Sequence, residues 1–274
     1  MVSNTTVGHF LLTASQRLSA AGISTARLDT LVLMEDQLHK DRAYILAHPE
    51  ALLPTIDKDV LSTRLEQRAQ HVPLAYIRGK SEFYGREFVI SPAVLQPRPE
   101  SETMVELLLS LDLPTHPRIA DVGTGSGALG ITAQLELPNA TVELLEIDQG
   151  AIEIATLNVV NHTIPISVIT SDLLDQSTKN FDVLLCNLPY VPDDFHINTA
   201  ALHEPKLAIF GGPDGLNLYR TLFTDIQNLQ HKPLYILTES LPPQHDALRA
   251  IAETHGYRQQ ISEDFIQVFT QQSA

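Results

Sequence analysis

Asp121-Val122-Gly123-Thr124-Gly125-Ser126-Gly127-Ala128-Leu129-Gly130 is the stretch that decides the fold. The residues before it, Ile119-Ala120-Asp121-Val122, read as a short buried strand, and Gly127 to Leu135 read as a helix. Glycine is needed where the backbone turns sharply from strand to helix and where a ligand approaches the main chain closely. Glu146 stands 19 residues beyond Gly127, at the end of the next strand, Thr141 to Ile147. A carboxylate there can accept both hydroxyl hydrogens of a ribose. Strand, glycine turn, helix and acid-ended strand together predict a parallel sheet with its ligand site at the carboxyl ends of the strands.

Two cofactors satisfy the turn. Gly125-x-Gly127-x-x-Gly130 fits the dinucleotide fingerprint, which implies a dehydrogenase. Asp121, two residues before the first glycine of Gly-x-Gly-x-Gly, fits an S-adenosylmethionine turn instead. A nucleoside without a pyrophosphate does not need the helix N-terminus as an anion site. The turn alone leaves the choice open.

Outward from the turn, strand and helix keep alternating. Gly150 to Asn161, Asp214 to Leu229 and Pro243 to His255 read as helices, and Ile166 to Thr170, Phe181 to Cys186 and Pro233 to Glu239 as strands. The last two strands, Arg258 to Ser262 and Ile266 to Thr270, are too close for a crossover and must pair antiparallel. Upstream, residues 5–71 carry apolar positions at helical spacing, broken at Gly22, His48-Pro49 and Leu53-Pro54, which predicts about four helices. Between Leu74 and Ile90 the period falls to two, so Ala75-Tyr76-Ile77 and Phe88-Val89-Ile90 are expected as a β-hairpin. The expected organisation is a helical domain over residues 1–72, a hairpin linker over 73–95 and a Rossmann-like domain over 96–274.

Composition narrows the function. The 274 residues carry 33 acidic side chains against 18 Lys and Arg, a formal charge of −15, which opposes binding to a polyphosphate backbone. A single cysteine, Cys186, excludes an intramolecular disulfide framework and a Cys-rich zinc site. The 11 histidines form no His-Glu-x-x-His pattern, so no metal is expected. No apolar run approaches the roughly 20 residues that span a bilayer, and Met1 to Phe10 lacks the order of a secretory signal.

The strand Phe181 to Cys186 runs directly into Asn187-Leu188-Pro189-Tyr190. An amide or exocyclic amine nitrogen is a poor nucleophile because its lone pair is delocalised. The Asn187 side-chain oxygen and the Pro189 carbonyl can each accept one hydrogen from such an NH2, aiming the lone pair at a methyl group and meeting positive charge as it develops. Tyr190 can stack on the planar group. A dehydrogenase has no use for this arrangement, which turns the choice of cofactor toward S-adenosylmethionine.

With these residues the sequence resembles the HemK-type protein-(glutamine-N5) methyltransferases of class 1 peptide chain release factors. The likeness extends through Ala26-Arg27-Leu28-Asp29, Asp41-Arg42-Ala43-Tyr44, Pro73-Leu74-Ala75-Tyr76-Ile77, Pro97-Arg98-Pro99-Glu100-Ser101-Glu102, Glu204-Pro205-Lys206-Leu207-Ala208 and Phe210-Gly211-Gly212-Pro213-Asp214-Gly215-Leu216. The resemblance implies that Asp121 and Gly123, Thr124, Gly125, Ser126 and Gly127 hold the cofactor's methionine part, Glu146 its ribose, and Asp172 or Leu173 the adenine. It implies that Asn187, Leu188, Pro189 and Tyr190 receive the substrate glutamine. Arg98 and Glu102, read from the residues themselves, are expected either to line the substrate entrance or to brace the domain junction. Asn187 would also border the cofactor. The family's usual motif is Asn-Pro-Pro-Tyr; Leu188 departs from it in the manner of the rRNA adenine dimethyltransferases.

The expected protein is therefore an S-adenosylmethionine-dependent enzyme that methylates the glutamine of a release factor's Gly-Gly-Gln motif. It would be a cytoplasmic monomer that binds neither nucleic acid nor membrane directly. The alternatives are an adenine N6-methyltransferase acting on RNA or DNA and a glutamine methyltransferase of a ribosomal protein.

Overall fold

A computed structural model describes residues 5–176, 180–196, 199 and 201–272. These fall into two compact units, one made of the described residues of 1–79 and 198–203, the other of those of 80–197 and 204–274.

The first unit is helical: α1 (Val7–Ala20), α2 (Ala26–Leu38), α3 (Arg42–Ala47), α4 (Thr55–Ala69) and α5 (Leu74–Arg78). Thr6 and Asp41 cap α1 and α3 by accepting from the His9 and Tyr44 N–H groups. Phe10, Leu18, Leu33, Met34, Ile45 and Leu61 form its core. Asp29, nearly buried on α2, accepts from Arg68 of α4 at 2.7 Å. A charge so enclosed requires that partner.

Ala75-Tyr76-Ile77, expected as a strand, is instead the middle of α5. Pro73 opens this turn, and Gly79 closes it in the left-handed region at φ 73°, its N–H bonded back to the Ala75 and Tyr76 carbonyls. Five residues of mixed polarity do not distinguish the two periods, and Leu74 and Ile77 find their apolar neighbours in the helical core. The hairpin is real but starts later. It pairs β1 (Lys80–Phe83) with β2 (Arg86–Val89) around Tyr84-Gly85, with Phe83 and Phe88 buried.

The second unit is built on a seven-stranded sheet. Its strands are β3 (Arg118–Val122), β4 (Thr141–Glu146), β5 (Ser167–Thr170), β6 (Val183–Cys186), β7 (Tyr235–Glu239), β8 (Tyr257–Glu263) and β9 (Ile266–Gln271). The order across the sheet is β5-β4-β3-β6-β7-β9-β8, all parallel through β7, with β9 antiparallel to both of its neighbours. The antiparallel closing pair agrees with its short connection.

Strand side chains alternate between two apolar layers. Ile119, Leu144, Val183, Leu185 and Leu237 face α6 (Glu102–Ser110), α7 (Ala128–Glu136) and α8 (Gln149–Asn161). Ala120, Val122, Leu145, Leu184 and Ile236 face α9 (Asn217–Asn228) and α10 (His245–Thr254). With helices on both faces, the sheet is a doubly wound, Rossmann-like one, and the strand order reverses between β3 and β6. Asn158, fully buried on α8, binds both the N–H and the C=O of Val89 and also the Ser126 carbonyl, which ties the hairpin to the glycine turn.

Gly130 is where α7 touches the sheet: a Cβ there would lie 2.3 Å from Leu144 Cδ2 and 2.8 Å from Asp121 Cβ. An exposed helical Gly→Ala change gains up to about 1 kcal/mol. Here overpacking opposes that gain and costs about 1–3 kcal/mol. Gly130→Ala should therefore lower the urea midpoint at an unchanged slope, and a raised midpoint would show that α7 is free to move away.

Candidate active site

A cavity of about 360 Å³ opens at the carboxyl ends of β3, β4, β5 and β6, within the range of small-molecule sites. The glycine turn, the Glu146–Asp148 and Ser171–Leu173 turns and Asn187–Pro189 line it, together with residues 93–98, Ser101, Pro205, Leu207 and Ala208. Of the residues singled out from sequence, Asp121, Gly123, Thr124, Gly125, Ser126, Glu146, Asp172, Leu173, Asn187, Leu188, Pro189 and Arg98 border it. Gly127, Tyr190 and Glu102 are not among its lining residues.

The glycine turn is held by hydrogen bonds before any ligand arrives. Gly123, Gly125 and Gly127 all have positive φ, 69°, 56° and 83°, where a side chain is strained. The N–H groups of Gly123 and Thr124 bond to Leu145 O, and that of Gly127 to Thr124 O. Gly125 donates to Glu146 Oε2 at 2.8 Å. The other oxygen, Oε1, accepts from the Ile147 and Asp148 N–H groups, so the carboxylate is fixed at the cavity wall. A Cβ on Gly125 would meet nothing within 4 Å, leaving the backbone open toward a ligand. Open glycine backbone beside an immobilised acid suits a nucleoside with an amino-acid tail.

Asp121 lies on the α7 side of the sheet, and its Oδ2 accepts from the Thr124 hydroxyl and from Gly130 N at 2.9 Å. One partner is in the turn and the other in the first turn of α7, so this carboxyl ties the loop to the helix it opens. Burial pushes it up to about 6; the bonds from Thr124 and Gly130 pull it down and nearby Glu146 raises it.

The second loop has its own support. Asn187 Nδ2 donates to Ser101 Oγ at 3.0 Å, and Ser101 donates to Glu239 Oε2 at 2.6 Å. Tyr190, expected to stack on substrate, donates its hydroxyl to Glu239 Oε1 at 3.0 Å. Leu188 is buried, and a Cβ on Gly123 would come within 2.9 Å of its Cδ2, so it spans the two loops. Pro189 O lies against Gly211, where a Cβ would come within 2.2 Å of it. Gln244 Nε2 donates to Tyr190 O and Asp214 O, both at 2.7 Å.

Arg98 borders the cavity while paired at 2.6 Å with Glu204, whose side chain is almost wholly enclosed. Glu102, expected at the entrance or the domain junction, does not reach the entrance: it accepts from Tyr84 N at 2.7 Å and braces the hairpin turn, because the first turn of α6 carries it toward the hairpin. Among the described residues no group of three or more His, Cys, Asp or Glu side chains could hold a metal ion.

Sequence reading missed Ser101 in its supporting role, and Glu239, Tyr219 and Gln244 altogether. Tyr219 donates its hydroxyl to Glu239 O at 2.6 Å and lies 3.0 Å from Cys186 O, joining the ends of β6 and β7. The available signal was an acid closing the apolar strand Tyr235-Ile236-Leu237-Thr238-Glu239, with no partner nearby in sequence to explain it.

Asp121 yields a pH prediction. Its folded value lies above the ordinary 3.8, so its contribution to stability is full below about pH 4 and is lost as pH rises through about 6. The loss amounts to at most about 3 kcal/mol. Asp121→Asn keeps an acceptor but does not titrate. Its stability relative to the parent should improve between about pH 4 and 6 in denaturant titrations, and a constant difference would mean that Asp121 ionises freely.

Comparison with known proteins places the chain. Residues 9–79 match the PrmC N-terminal domain and residues 100–204 the Methyltransferase small domain. A release factor glutamine methyltransferase of Coxiella burnetii is 33% identical, with 89% of each chain covered. One of Koribacter versatilis is 35% identical over 76% of this chain and 77% of its own. A bifunctional methyltransferase of Rickettsia bellii is 30% identical over 90% of this chain, which spans only 50% of that longer protein. Among solved structures, the hMettl16 catalytic domain has a TM-score of 0.55 at 16% identity, covering 78% of this chain and 82% of that one. A methyltransferase from Pyrococcus furiosus has 0.53 at 16%, covering 77% and 100%. The structures attest the methyltransferase fold, and the sequence matches over nearly the full length of both chains show that this chain belongs to the release factor glutamine methyltransferase family.

Proposed function

We propose that this protein transfers a methyl group from S-adenosylmethionine to the side-chain amide nitrogen of the glutamine in a class 1 release factor's Gly-Gly-Gln motif. The observation that carries the reading is Asn187: it follows β6 directly, lines the same cavity as the glycine turn, and has its NH2 turned back toward Ser101. That orientation leaves its carbonyl oxygen for a substrate NH2.

The chain's residues fit the cofactor. The open backbone of Gly125 and the turn from Gly123 to Gly127 would hold the methionine part, Glu146 the ribose hydroxyls, and Asp172 and Leu173 the adenine. When bound, S-adenosylmethionine supplies an electrophilic methyl group on a sulfonium sulfur. Asn187 Oδ1 accepts one hydrogen of the glutamine NH2, and a main-chain carbonyl of the Leu188-Pro189 turn accepts the other. Both acceptors orient the nitrogen lone pair and oppose the positive charge that grows on nitrogen. The N-protonated amide formed by transfer is strongly acidic and gives its proton to water without a dedicated base.

The helical domain, residues 1–72, serves recognition of the protein substrate; exposed Leu52 and Ile56 are apolar surface that such a partner would cover. Residues 73–95 link it to the methyltransferase domain, 96–274. The protein acts as a cytoplasmic monomer without direct contact to nucleic acid, a reading that the charge of −15 supports. Among the described residues no helix is long and apolar enough to cross a membrane.

Incubation with labelled cofactor and either purified release factor or RNA and DNA, followed by mass mapping, tests the reading. Label should appear on the Gly-Gly-Gln glutamine; label on adenine would replace this substrate with a polynucleotide. Asn187→Ala should lower kcat by about two to three powers of ten, as loss of one positioned polar group does, with a smaller effect on cofactor affinity. Near-normal turnover by Asn187→Ala would remove the loop from the active site.

A further inference from the structure

We infer that Glu239 and Ser101 are positioning residues that set which way the Asn187 amide points. An asparagine amide has two faces of opposite chemistry: the oxygen accepts and the nitrogen donates. A substrate NH2 is served only if the oxygen faces the cavity, yet rotation by half a turn about the last side-chain bond exchanges the two at little steric cost.

The choice is made two bonds away. Glu239 is 1% exposed; burial pushes its carboxyl up, the Ser101 and Tyr190 hydroxyls that donate to it hold it down, and as a carboxylate it can only accept. It takes the Tyr190 hydroxyl on Oε1 and the Ser101 hydroxyl on Oε2. Ser101, 2% exposed, has then used its single proton and can offer Asn187 only a lone pair. The Asn187 atom 3.0 Å away must therefore be the NH2, and Oδ1 is left with no donor among the described residues. Donation runs in one direction, from Asn187 to Ser101 to Glu239.

The fold builds this line from three distant segments. Glu239 ends β7 on the sheet face that α6 covers, as alternation from Leu237 requires. Ser101 closes the 3-10 turn Pro99–Ser101 that leads into α6. The Tyr219 hydroxyl donates to Glu239 O and lies 3.0 Å from Cys186 O, so the strand ends bearing Asn187 and Glu239 keep a fixed spacing. Glu239 and Tyr219 do not line the cavity and Ser101 borders it beside Asn187; all three act through the Asn187 amide.

The inference rests on the proposed glutamine substrate, and its test separates the two. Methyl transfer to purified release factor is measured for the parent protein and for Ser101→Ala, Ser101→Thr and Glu239→Gln, with cofactor affinity by calorimetry as a check on folding. Ser101→Ala removes the relay, and Glu239→Gln lets an N–H face Ser101 and reverse the donation. Each should lower kcat about ten- to a hundredfold, the cost of misaligning a reacting group, while KM and cofactor affinity stay within about threefold. Ser101→Thr keeps the hydroxyl and should restore most of the rate. In parallel, proton–nitrogen correlation spectra of the Asn187 side-chain amide, assigned with Asn187→Asp, should show one proton shifted and slow to exchange in the parent and both ordinary in Ser101→Ala. Turnover within threefold of the parent for both Ser101→Ala and Glu239→Gln, or a Thr variant as slow as the Ala variant, would overturn the relay. If the parent itself fails to methylate release factor, the substrate reading falls, and the amide spectra alone decide the relay: a signal unchanged in Ser101→Ala would reject it.

Discussion

Between β3 and β6 the sheet reverses its winding: β3 passes into α7 on one face, while β6 leads through a long loop to α9 on the other. Two neighbouring strands that discharge their chains in opposite directions leave a crevice at their ends that no side chain of the sheet can fill. Both loops that carry chemistry hang over this crevice. The glycine turn leaves β3 and Asn187–Tyr190 leaves β6, so their proximity follows from the pairing of Asp121 with Leu185 rather than from any contact between the loops.

Strand alternation then decides what supports each loop. Asp121, Glu146 and Glu239 are all acids at strand ends, and by parity all three point to the face covered by α6, α7 and α8. Each meets a different donor set there: Asp121 the start of α7, Glu146 the Gly125 N–H, and Glu239 the residue that opens α6. A buried carboxylate without a cation must take several hydrogen bonds, each worth about 1.5–3 kcal/mol when one partner is charged. The same bonds that offset its desolvation stiffen the loops, which is the preorganisation that electrostatic catalysis needs.

Leu188 shows how the site accommodates a departure from its family's motif. Proline would stiffen the turn through its ring. Leucine instead places a buried side chain in a core layer with Ala120, Val122, Leu145 and Tyr219, against the backbone of Gly123. Packing fixes the turn from outside where a ring would fix it from within, and the contact couples the cofactor loop to the substrate loop.

The sequence by itself determined the alternation of strand and helix, the glycine turn with its spaced acid, the Asn-Leu-Pro-Tyr loop and the antiparallel closing strands. All of these are written over a few neighbouring residues, in periodicity, in glycine placement and in the brevity of a connection. It misread Ala75-Tyr76-Ile77, because five residues carry too little periodicity and the apolar core that selects α5 lies elsewhere in the chain. It allowed Glu102 at the cavity and placed Tyr190 there, whereas their hydrogen bonds turn them to Tyr84 and to Glu239. The orientation of Asn187 belonged to tertiary structure alone. It depends on Ser101, 86 positions away, and through it on Glu239, a further 138 positions along. No local pattern records such a partnership, because only sheet order and side-chain parity bring the two strand ends and the start of α6 within hydrogen-bonding reach.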